Sequence, residues 1–109
     1  MKVQFLLMAS MMSVSHLVLA NDEIAKGEAL YRNPGRGGCI QCHGEQGNVP
    51  VISLYPKIGG QSETYLYNQM MDYKNGLRKN GLYVPMETAS KALTEVEIKA
   101  IVRYLAQVK

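Results

Sequence analysis

The sequence predicts an all-α domain of three main helices joined by long loops. Three stretches carry apolar residues at helical spacing and are bounded by capping or breaking residues. No stretch has the two-residue alternation of a half-buried strand. The connections are longer than a bare helical bundle uses, so they need something other than helix to wrap around.

The chain opens with an expected leader. Lys2 supplies a short positive region, Val3 to Ala20 is an almost uncharged apolar run, and Val18-Leu19-Ala20 is a small-x-small cleavage signal. The run is about long enough to span a bilayer. Its polar interruptions (Gln4, Ser10, Ser13, Ser15, His16) and the cut site favour removal over anchoring. Residues 1–20 are therefore expected to be a cleaved secretory signal peptide, and 21–109 one small domain.

Asp22 to about Arg32 reads as the first helix. Ala25, Ala29, Leu30 and Tyr31 form its apolar stripe, and Asp22 and Glu23 stand where the helix dipole favours negative charge. Asn33-Pro34-Gly35-Arg36-Gly37-Gly38 breaks it and forms a loop. Gly44, Gly47 and Pro50 mark irregular chain. Ser62 is an N-cap for a second helix over Glu63 to Asn75, stopped by Gly76, with Tyr65, Leu66, Gln69, Met70 and Tyr73 at helical spacing. Thr94-Glu95-Val96-Glu97 is a capping box that opens the third helix, running to about Gln107. Val96, Ala100, Ile101, Tyr104, Leu105 and Val108 are placed on its apolar face.

Between the first two helices lies Cys39-Ile40-Gln41-Cys42-His43. Cys-x-x-Cys-His is the attachment pattern of c-type haem. Two thiols add to the vinyl groups, one short turn presents both sulfurs to the same porphyrin edge, and the adjacent imidazole takes an axial position on the iron. A thioredoxin-like reading of Cys39 and Cys42 would need a βαβ pattern that the chain lacks. A structural zinc site would need a fourth ligand beyond Cys39, Cys42 and His43. With the leader removed, His43 is the remaining histidine, and Met70, Met71 and Met86 are the remaining methionines.

The charge balance is mildly basic. Twelve Lys and Arg face nine Asp and Glu, with Lys2 lying in the leader. This is too weak a bias to indicate nucleic-acid binding, and it is compatible with docking to an acidic redox protein.

With these elements in order, the chain resembles a class I c-type cytochrome of the short bacterial monohaem type, a domain also found duplicated in dihaem cytochromes. The resemblance rests on Cys39 to Gly44, Pro56-Lys57-Ile58-Gly59-Gly60-Gln61, the Ser62 helix, Met86 and the Thr94 helix. It implies one covalently bound haem c with its iron, attached through Cys39 and Cys42. It implies that the Pro56 carbonyl accepts a hydrogen bond from His43, that Ile58 packs against the ring, and that Arg78 approaches a propionate. It also implies a close crossing of the terminal helices at Gly27 and Tyr104. Pro34 to Gly38 departs from the family pattern as an insertion.

His43 and Met86 are the expected axial ligands. Met86 follows Pro85 in an expected loop seven residues before Leu93, whereas Met70 and Met71 stand at helical spacing, where methionine more often fills a core. A haem closed by His and Met suits single-electron transfer and leaves no position for a substrate. The expected function is a periplasmic electron carrier, not an enzyme. Its donor would be a dehydrogenase or a quinol-oxidising complex, and its acceptor an oxidase or reductase. If Met86 does not ligate, the alternative is a five-coordinate haem that senses a ligand or acts like a peroxidase. The mature chain carries no membrane-spanning run.

Overall fold

Five helical segments, separated by tight turns and irregular chain, build the part of the protein that the computed structural model describes, residues 19–109. Helix α1 covers 19–32, α2 Cys39–His43, α3 Glu63–Lys74, α4 Tyr83–Ala92 and α5 Glu95–Ala106, with a single 3-10 turn at Glu45–Gly47. No strand occurs among the described residues, as the all-α expectation requires. The leader expected at 1–20 lies, but for its last two residues, outside the described part.

Local chemistry explains the helix ends. Ser62 Oγ accepts from the Tyr65 amide at 3.2 Å and starts α3. At its far end the Gly76 amide donates to Tyr73 and the Leu77 amide to Asp72, with Gly76 at φ 71°. That double bond is a Schellman stop, and it calls for a left-handed residue at this position. In α5 the reciprocal capping box is present. Thr94 Oγ1 accepts from the Glu97 amide, and Glu97 Oε1 accepts from the Thr94 amide at 3.0 Å.

Helix α5 is the centre of the core. Ile98, Ile101, Val102, Tyr104 and Leu105 are all buried, and α3 packs against them. Two details of the expected stripes are corrected. Val96 is 76% exposed, and Ile98 and Val102 take the inner face instead. On α1, Ala25 and Ala29 are exposed, while Ile24, Gly27 and Tyr31 face inward. The reason is the crossing with α5. A Cβ on Gly27 would overlap the Ala100 carbonyl and stand 2.9 Å from Tyr104 Cβ, so the helices touch backbone to backbone there. That contact sets the rotation of α1 and turns the alanines outward. Tyr31 packs its ring 5.6 Å from that of Tyr104.

Helix α4 is the larger correction, because Met86, following Pro85, is expected in a loop. Pro85 does not prevent the helix. It is the third helical residue, where the amide has no partner within the helix in any case. Leu82 offers no side-chain cap, so the start carries no sequence signal. Packing against α3 supplies what capping does not.

Candidate functional site

Helix α2 is a single turn, so Cys39 and Cys42 stand three residues apart on one face and His43 follows directly. Several backbone contacts fix this turn. The Gly44 amide donates to Ile40 at 3.0 Å, the Val51 amide to Cys42 at 3.0 Å, and the Tyr31 hydroxyl to the Gly44 carbonyl at 2.6 Å. Helix α1 thus ties down the end of the motif.

His43 is buried, and its Nδ1 donates to the Pro56 carbonyl oxygen at 2.9 Å. That bond selects the ring tautomer and leaves the other ring nitrogen free. Burial pulls the His43 pKa down, against the weaker opposing effect of the Pro56 bond, which favours the neutral ring that a metal ligand requires. Both cysteines are free thiols, and burial pushes Cys39 up to about 11.

A cavity of about 410 Å³ opens beside this turn, within the range of pockets that hold a small molecule or cofactor. Cys39, Cys42, His43, Pro56, Ile58, Arg78 and Met86 all border it, so the chain brings every residue singled out from the sequence to one place. Helices α3 and α5 add Leu66, Met70, Ile101, Val102 and Leu105, which make the inner walls apolar. Arg78 donates to Gln69 Oε1 at 2.9 Å and to Asn80 Oδ1 at 3.2 Å, and its guanidinium lies 4.7 Å from the Tyr73 ring centroid.

Two methionine sulfurs compete for attention, and the expected distinction between them does not survive, since Met86 is helical too. What separates them is engagement. Met70 packs against the buried core and its sulfur receives the Ser90 hydroxyl at 3.9 Å, while Met71 packs on the core and does not border the cavity. Met86 borders the cavity outside that core cluster.

The cavity's wall residues escaped sequence reading because Leu66, Ile101, Val102 and Leu105 carry the same signal as any helix core. Leu54, Tyr55 and Tyr65 also border the cavity, and the first two come from irregular chain with no periodic signal.

A pair of thiols on one face, an imidazole with one nitrogen engaged, a thioether on another helix and apolar walls together fit a covalently held haem. They fit zinc poorly. Among the described residues no three His, Cys, Asp or Glu side chains gather as a metal site.

Comparison with known proteins agrees. A family model described as cytochrome c matches residues 24–109. Cytochrome c4 of Pseudomonas aeruginosa is 33% identical over 87 residues, covering 75% of this chain and 43% of that protein. Cytochrome c-554(548) of Halomonas halodenitrificans is 33% identical over 78 residues, covering 72% of this chain and 93% of that one. A thiosulfate dehydrogenase electron acceptor of Stutzerimonas stutzeri is 34% identical over 70 residues, covering 64% of this chain and 32% of its own length. The chain thus spans less than half of the cytochrome c4 relative and nearly all of the c-554(548) relative.

Proposed function

The chain belongs to the cytochrome c family, in its short bacterial class I form, and we propose on that footing that it carries single electrons through one haem c, whose iron His43 and Met86 would hold. When bound, the haem supplies an iron centre that alternates between ferrous and ferric states. The residues of the chain attach it, orient it and keep water away.

Cys39 and Cys42 are the two attachment thiols. His43, oriented by its 2.9 Å bond to Pro56, would supply one ligand to the iron. That bond also raises the basicity of the ring. Met86, which α4 carries at the cavity wall, would supply the other. Ile58, Leu66, Ile101, Val102 and Leu105 give a surrounding of low polarity, which would disfavour the extra charge of ferric iron and, with a thioether ligand, raise the potential. Arg78, held by Gln69 and Asn80, is placed to pair with a propionate.

The observation that carries this reading is the convergence of Cys39, Cys42, His43 and Met86 on one apolar cavity. The experiment is Met86→Ala in the holoprotein. The weak near-infrared band of a methionine–ferric bond should disappear, the midpoint should fall, and reduced protein should bind carbon monoxide. An unchanged band and midpoint would place the ligand elsewhere. Rapid stoichiometric carbon monoxide binding by the unaltered protein would turn the reading towards the five-coordinate sensor or peroxidase.

We place the protein in the periplasm, exported by residues 1–20 and acting as the domain 21–109. A cut after Ala20 is compatible with the packing, because the first inward residue of α1 is Ile24. Among the described residues no helix is long and apolar enough to cross a membrane. Its partners would be redox proteins, with a dehydrogenase or quinol-oxidising complex as donor and an oxidase or reductase as acceptor. One relative's name, an electron acceptor of thiosulfate dehydrogenase, supports a donor of the dehydrogenase class.

A further inference from the structure

We infer that Lys74 is a positioning residue for Met86, acting by clamping the C-terminal end of α4 onto α3. The inference rests on the reading of Met86 as an iron ligand.

Lys74 is the last residue of α3 and is half-buried. Its Nζ donates to the carbonyl oxygen of Leu93 and, at 3.4 Å, to that of Ser90. Both acceptors belong to residues that are almost wholly buried, Ser90 at 0% and Leu93 at 1% exposed. They lie at the end of α4, where the Ser90 carbonyl already accepts the Leu93 amide at 3.2 Å, so Lys74 is its second donor, and where the dipole attracts a cation. A cation donating to buried carbonyls at that end is the strong form of such a contact.

The other end of α4 has no equivalent. Leu82 provides no side-chain cap. Glu87 pairs with Lys79 at 2.7 Å and Lys91 at 2.6 Å, but Lys79 lies in the preceding connection and Lys91 in α4 itself. Among the described residues, Lys74 is the cation that ties α4 to a neighbouring helix. Met86 stands four residues before Ser90, on the same face. Fixing the Ser90 end therefore fixes the position of the Met86 thioether. A thioether is a weak, neutral donor, so its hold on a metal depends on how firmly its support is placed.

The test compares holoproteins carrying Lys74→Met, Lys74→Gln, Lys74→Arg and Met86→Ala. Imidazole binding to the ferric form, the near-infrared band and amide hydrogen exchange are measured for each. Lys74→Met should bind imidazole at least about tenfold more tightly, the factor that losing one charged hydrogen bond corresponds to. Its band should weaken, and α4 amides should exchange faster while α5 amides keep their protection. Lys74→Arg should restore near-original behaviour, and Lys74→Gln carries the same test if the methionine variant yields no holoprotein. Unchanged imidazole affinity in both Lys74→Met and Lys74→Gln, or equal loosening of α4 and α5 without tighter imidazole binding, would overturn the inference. If Met86→Ala itself binds imidazole no better than the original protein, the ligand reading has failed. If Met86→Ala binds tightly and the Lys74 variants do not, only the positioning role has failed.

Discussion

Glu97 serves two partners. It completes the capping box of α5, and it receives both Nε (2.9 Å) and Nη2 of Arg36 from the loop inserted before the haem motif. The Arg36 guanidinium, helped by the Thr94 amide, holds the Glu97 carboxyl at about 2, well below its ordinary 4.5. The folded pKa is the lower one, so this contribution to stability is complete above about 4.5 and drains away as pH falls towards 2. Glu45, lowered by Arg32, and Glu87, lowered by Lys79 and Lys91, act in the same direction. Glu97→Gln keeps an oxygen for the Thr94 amide and removes the charge. Its holoprotein should be less stable at neutral pH and should lose less of its remaining stability on acidification from 4.5 to 2, as followed by denaturant unfolding at a series of pH values. A pH profile parallel to that of the original protein would show that the ion pair adds nothing. The capping box was legible because its partners are three residues apart. The Arg36 pair was not, because sixty-one residues separate its members and neither is unusual in its own surroundings.

At the scale of elements, the crossing of α1 and α5 tolerates little change. Gly27→Ala places a methyl group against the Ala100 backbone, which cannot move aside as a side-chain tip can. The expected cost is about 1–3 kcal/mol or more, the usual penalty of overpacking. It should appear as a lower midpoint of thermal or denaturant unfolding in the holoprotein. An unaltered midpoint would mean that the helices separate freely and that the close approach is unimportant. The second and third expected helices were readable because Ser62, Gly76 and Thr94 announce their ends by local hydrogen bonds. Helix α4 was not readable, because Pro85 near its start and the absence of a cap at Leu82 both argue locally for a loop. It is held by α3 and by Lys74, contacts that exist only after the chain has folded.

For the molecule as a whole, the cavity bordered by α2, α3, α4 and α5 adjoins the packed core centred on α5. A domain this small buries little surface of its own, and a group seated in the cavity would add apolar contacts to the wall that Leu66, Ile101, Val102 and Leu105 form. The doubly substituted Cys39→Ala/Cys42→Ala protein, free of haem, should therefore lose most of its far-ultraviolet helical signal. Native helicity without haem would show that the walls close on themselves. The sequence by itself determined the all-α class, the thiol pair with its histidine, and the caps of α3 and α5, and its resemblance to a known family implied the glycine at the helix crossing. Each of these is written in residues that are neighbours along the chain or in a familiar order. Only the tertiary structure decided that Met86 rides on a helix, that Met70 is taken up by Ser90 and the core, and that Ala25, Ala29 and Val96 face outward. Those outcomes depend on which surfaces meet, and the helices meet through Gly27, Ala100 and Tyr104 at distances that no local pattern encodes.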